Sequence, residues 1–167
     1  MSRKSEQKQP SKAQIARHAA RELAVQGLYQ WQINPRPISA VEAEFRAQVA
    51  DDDMPEHENW VMVMDKADLA MFHSLLHGVA AEAATLDKTF EPLLDRKLEE
   101  LDVIEHAILR LGTFELMRRP EVPYRVVINE AVDLTKAFGA EDSHKYINSI
   151  LDKLAAKLRS VEAAHRR

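Results

Sequence analysis

Cysteine is missing from all 167 residues, which removes disulfides, thiolate metal ligands and cysteine nucleophiles together. Glycine occurs only four times and aromatic residues make up 6% of the chain, so a fold rich in tight turns and sheets has little to draw on. No apolar run approaches the ~20 residues of a bilayer span, and the opening MSRKSEQKQPSK lacks the apolar centre of a signal peptide. Also lacking are a Gly-rich phosphate loop, a G-x-S-x-G setting around Ser74 or Ser143, and an HExxH pair. The chain therefore reads as a non-enzymatic protein with no cofactor.

Alanine, leucine and glutamate are plentiful, and no stretch alternates apolar and polar residues for long, so the expectation is an all-α protein of about seven helices. Residues 1–10 read as a disordered basic tail, 11–161 as a single helical domain and 162–167 as a charged C-terminal tail. Ser11 and Gln14 have the capping-box form and open a helix that stops at Asn34-Pro35. Its apolar face carries Ala20, Leu23, Ala24, Gly27, Leu28 and Trp31, and its other face presents Arg17, His18, Arg21, Val25, Tyr29 and Gln32.

Ser39 and Glu42 form a second capping box, Asp51–Glu58 an acidic loop, and Asp65 a cap for a long helix with a bend near Leu86-Asp87. Pro92 suits the first turn of the piece that follows. The next helix begins near Asp95–Lys97 and ends before Pro120.

Residues 121–158 form the most informative stretch. Pro123 suits a helix start; Val127, Ile128, Ala131, Leu134, Thr135 and Phe138 make one apolar stripe, and Gly139 is placed for a left-handed helix end. Asp142 or Ser143 caps the last helix, whose stripe is Ile147, Ile150, Leu151, Leu154, Leu158 and Val161. The turn gathers Asp142, Lys145 and Tyr146 at a helix N-terminus, where N–H groups, a cation and a ring suit a phosphate and a stacked base.

The net charge of −4 conceals an asymmetry. Arg3, Lys4, Lys8, Lys12, Arg17 and Arg21 crowd the start, whereas Asp51, Asp52, Asp53, Glu56 and Glu58 form an acidic block. A basic surface for an anionic partner and a merely solvated tail explain this equally well. Tyr29 and Tyr146 lie off the main stripes, open to surface stacking or to the core. His73 and His77, four apart on a helix, could share a metal; no further ligand is evident, and they read as ordinary helix histidines. Asp102 and Glu105 read as a solvated carboxylate pair.

The segments RHAARELAVQGLYQW, LDVIEHAILRLGTFELMR and VPYRVVINEAVDLTKAFGAEDSHKYINSILDKL resemble the NusB family of bacterial transcription antitermination factors, from about Ala16 to Leu158. The resemblance implies two packed three-helix bundles and an RNA-binding factor. It also implies partners: NusE (the ribosomal small-subunit protein), boxA RNA of ribosomal RNA leaders, and RNA polymerase with other Nus factors, in the cytoplasm and without membrane or DNA contact. By position, it puts RNA contacts on Lys12, Arg17, His18 and Arg21 and on Asp142, Lys145 and Tyr146, and the NusE surface on Tyr29, Glu99 and Glu105.

The chain departs from arginine-rich members of the family in having His18 and Ala19 between Arg17 and Arg21. That departure motivates a second reading, a protein-only adaptor that binds NusE without RNA. A third is a relative of the RNA-binding domain of ribosomal RNA cytosine methyltransferases.

Overall fold

The computed structural model describes residues 9–50, 67–160 and 162, and no strand occurs among them. The α-helices are α1 Lys12–Ile33, α2 Ile38–Ala50, α3 Leu69–Phe90, α4 Val103–Arg118, α5 Tyr124–Phe138 and α6 Ser143–Leu158. Two 3-10 turns, Glu91–Leu93 and Leu98–Glu100, join α3 to α4. The all-α expectation holds, with six α-helices and these two turns among the described residues standing where about seven helices were expected. α1, α2 and α3 pack as one three-helix bundle and α4, α5 and α6 as another. α4 sits at the junction, touching α1 and α3 on one side and α5 and α6 on the other, and a single apolar core runs through both bundles.

α1 begins where its sequence predicts. Ser11 accepts from the Gln14 N–H while the Gln14 side chain accepts from the Ser11 N–H, so two donors left over by the helix start are satisfied. Ala20, Leu23, Ala24, Val25 and Leu28 are all fully buried, because α1 has α2 and α3 on one flank and α4 and α5 on the other. Its second face is only partly a solvent face: Arg17 and Tyr29 are exposed, whereas Val25 and Arg21 are inside.

Other boundaries move for identifiable reasons. α2 starts at Ile38, which puts Ser39 inside the helix, and Glu42 turns toward α3 instead of capping. Asp68 caps α3 by accepting from the Met71 N–H; Asp65 and the Asp51–Glu58 loop lie outside the described residues. No break occurs at Leu86-Asp87, where Leu86 is buried in the core and Asp87 is held by Arg110 and His106, and α3 runs on to Phe90 before the turn containing Pro92. α4 begins at Val103, with Asp102 and Glu105 forming a reciprocal capping box rather than a solvated pair.

Gly139 is extended, with φ −91° and ψ 175°, and the left-handed residue is Asp142 at φ 68°. Glycine is needed at 139 for space, because a Cβ there would stand 2.8 Å from the Thr135 carbonyl oxygen. The stripes of α5 and α6 are buried as predicted except at their ends, where Phe138 and Leu158 are exposed; Val161 lies outside the described residues.

Two buried arginines brace α4, one across the two bundles and one within the second. Arg21 of α1 donates through Nε to both oxygens of Glu115 on α4, at 3.1 and 3.0 Å, and through Nη2 at 2.8 Å. The side chains are 3% and 2% exposed. Arg159, just beyond α6, donates to the carbonyls of Glu115, Leu116, Arg119 and Val122, which fastens the end of α6 to the end of α4 and the turn after it.

Removing one partner of such a pair strands a charge without water. Glu115→Ala is therefore expected to lower unfolding free energy by about 3–5 kcal/mol in urea titration, a large share of a domain's total stability. A loss within ~0.5 kcal/mol would mean that the ion pair does not hold the bundles.

Candidate nucleic-acid interface

The N-terminal half of α1 and the polar side of α5 enclose a groove of about 550 Å³, lined among others by Gln14, Ile15, Arg17, Val126, Asn129 and Glu130. α5 supplies this wall because its apolar stripe faces α4 and α6, leaving Val126, Asn129 and Glu130 on the opposite side toward α1. Lys12 and Arg17 are exposed and form no ion pair with any described residue. Gln14 and Asn129 were missed from the sequence. Their signal was the off-stripe spacing of the two helices, which reads as solvent until the helices are set side by side.

His18 and Arg21 are placed differently from the sequence expectation. The His18 ring lies between two carboxylates, Nε2 2.8 Å from Glu22 and Nδ1 2.6 Å from Glu130. Hydrogen bonds to Glu130 and then Glu22 raise its pKa to about 10, against the opposing effect of burial. Arg21, already bound to Glu115, has Nη1 4.0 Å from Glu130. Glu22, His18, Glu130, Arg21 and Glu115 thus form one chain of charges, two cations against three carboxylates, net −1. Arg21 lies in the groove wall but is 2% exposed, with its guanidinium taken up by Glu115. The exposed positive charge of this groove is Arg17, with Lys12 exposed on the first turn of the same helix.

At the turn, Asp142 and Lys145 are both exposed and stand 3.6 Å apart as a weak surface pair. Asp142 makes no side-chain cap, its left-handed backbone turning it away from the α6 N–H groups. Tyr146 is half-buried. Its hydroxyl oxygen accepts from the Asp95 N–H at 3.3 Å, and the Arg96 guanidinium sits 4.1 Å from its ring centroid. Burial, with the Asp95 contact, holds the phenol above its ordinary range. One ring face is thus already covered by Arg96, whose Nε also pairs with Asp95 at 3.0 Å.

The residues assigned to a protein partner divide in the same way. Tyr29 is 37% exposed and borders a groove of about 300 Å³ with Gln26, Gln30, Ile104 and Phe138. Exposed Ile33 and Val103 extend the apolar surface on the same two helices. Glu99 is exposed in the second 3-10 turn, but Glu105 is 6% exposed and spent on the capping box. Burial first, and then Asp102, push its carboxyl above the usual range, so it is no free acid for a basic partner. Phe138 ends α5 directly before the short turn that leads into α6.

The fold and these surfaces define a class: a two-bundle helical protein whose recognition features are shallow, polar and spread over helix faces. A profile of the NusB family matches residues 18–156. The chain belongs to the NusB family. It is 66% identical over 155 residues to the transcription antitermination protein NusB of Chromohalobacter salexigens, covering 93% of each chain. It is 51% identical to that of Alcanivorax borkumensis, covering 91% of this chain and 93% of the relative. Among solved structures, NusB of T. maritima superposes with a TM-score of 0.64 at 22% identity, covering 83% of this chain and 89% of the other. NusB solved with NusE and dsRNA superposes at 0.63 and 20% identity, covering 82% and 93%. Among the described residues no helix is long and apolar enough to cross a membrane.

The His18 clamp has a pH signature. Because its folded pKa is raised, its stabilisation is complete below the unfolded value of 6.5 and is lost as pH rises toward about 10. Thermal melts of the native protein and His18→Gln should differ most near pH 6 and converge above pH 10. Parallel curves across that range would remove the proposed clamp.

Proposed function

We infer that this chain is a transcription antitermination factor, not an enzyme, that binds boxA RNA of nascent ribosomal RNA leaders together with NusE. In this reading the complex then joins RNA polymerase and other Nus factors in the cytoplasm. The observation that carries the reading is 66% identity to an antitermination protein over 93% of both chains. A structural neighbour captured with NusE and dsRNA supports the same pair of partners.

In physical terms, Arg17 in the α1–α5 groove and Lys12 at the start of α1 take phosphates, with Gln14 and Asn129 able to hydrogen-bond base edges. Lys145, Arg96 and Tyr146 form the second contact. NusE covers the apolar groove around Tyr29, with Glu99 at its rim. So few free cations on an acidic protein bind RNA weakly and with strong salt dependence. NusE, held on the same protein, adds contacts to the same strand and raises affinity through effective concentration.

One observation favours a protein-only adaptor as the second reading: the net −1 charge of the network beneath the groove. A single titration separates the two. Labelled boxA RNA and a scrambled strand are titrated with the protein, with and without NusE, at two salt concentrations. The expected result is tighter, boxA-preferring binding with NusE present. Arg17→Ala and Lys145→Ala should each weaken it several-fold and lower the salt slope by about 0.7 per lost phosphate contact, with helicity unchanged. Tyr146→Ala should also weaken it. NusE binding with no gain in RNA affinity would establish the adaptor.

A further inference from the structure

Away from the groove, α2 and α3 bring together three side chains that the surfaces above do not use. His73 and His77, one turn apart on α3, stack with ring centroids 4.1 Å apart and an angle of 29° between planes. Both direct a ring nitrogen at the same carboxylate, Glu42 of α2. His73 Nδ1 lies 2.5 and 2.9 Å from its two oxygens, and His77 Nε2 lies 3.4 Å from the nearer one. His77 Nε2 is shut off from solvent and has no hydrogen-bond partner, an uncompensated polar atom beside a buried acid.

We propose that Glu42, His73 and His77 form a binding site for a divalent transition-metal ion of the zinc class, which pins α2 to α3. The donor set is the argument's first support, since two imidazoles and a carboxylate suit zinc and its borderline neighbours rather than calcium or magnesium. Geometry is the second. The donor atoms all lie within 4.8 Å of one another. Ligands about 2.05 Å from a tetrahedral ion sit roughly 3.3 Å apart, which the His77–Glu42 distance of 3.4 Å already matches. The His73–Glu42 contact must open from 2.5 Å by about 0.8 Å, within a rotamer adjustment of a side chain 55% exposed.

The third support is electrostatic. Glu42 is 7% exposed, so its carboxylate stands where little water reaches it and faces both imidazoles. Arg46 Nε, 3.6 Å from the second oxygen and 45% exposed, is free to swing into water when an ion arrives. The open side of His73 leaves a position for a water ligand, as a three-ligand site requires. His77 Nε2, orphaned otherwise, gains a partner.

The test is calorimetric titration of the full chain with zinc chloride near neutral pH, beside His73→Ala, His77→Ala and Glu42→Gln. The native protein should take up one equivalent, and its melting temperature should rise with zinc. Each substitution should weaken binding on the order of 100-fold and abolish the thermal shift. His73 is largely exposed, so His73→Ala keeps the fold even where the buried positions do not, and circular dichroism confirms it. Cobalt(II) should give visible absorption of a tetrahedral site in the native protein and not in His73→Ala. Absence of saturable uptake, or uptake undiminished in His73→Ala, would overturn the proposal.

Discussion

The buried ion pair between Arg21 and Glu115 is the constraint on which the rest of the structure depends. Two charges removed from water are tolerable only in good geometry, and three short hydrogen bonds supply it. The pair fixes how far α1 slides along α4, and α1 belongs to one bundle while α4 begins the other. Through that register, the N-terminal half of α1 becomes a wall of the α5 groove and its C-terminal half carries Tyr29 to the edge of Ile104 and Phe138. Arg159 performs a related task at the end of α4, where four carbonyls converge on one guanidinium.

The same arrangement explains why the interface is electrostatically modest. Positive charge that the sequence places near the start of α1 is consumed inside: Arg21 by Glu115, His18 by Glu22 and Glu130. What reaches solvent is Lys12, Arg17 and, at the far end of α5, Lys145 with Arg96. From Glu130 to Phe138 the α5 axis covers roughly 12 Å, so one extended strand could touch both ends. In the proposed reading, an apolar partner surface and a second cationic patch share one helical scaffold, which is how two weak contacts give affinity without a deep pocket.

Much of this was legible in the sequence. The stripes of α1, α5 and α6, the Ser11 capping box and the all-helical class follow from local periodicity and capping chemistry, which tertiary packing here reinforces. The failures share a cause. Arg21 and Glu105 carry charges that local rules send to the surface, and only long-range partners or a helix start explain their burial. Glu42 looked like a capping residue until α3 was laid against α2, and the third ligand for His73 and His77 is 31 residues from the nearest of them. Gly139 and Asp142 exchanged conformational roles because a close approach to Thr135, not a positive φ, selects glycine.

The central claim is that Arg21 serves RNA binding only by building the fold. Its most direct test is the paired replacement Arg21→Met with Glu115→Met, which substitutes an apolar contact of similar size for the ion pair and leaves no charge stranded. The account predicts a folded protein whose NusE-dependent RNA affinity stays within about twofold of the native value, since 1.4 kcal/mol would be needed for a tenfold change. A folded double variant that loses RNA as Arg17→Ala does would contradict it, and would put the Arg21 guanidinium on the RNA after all.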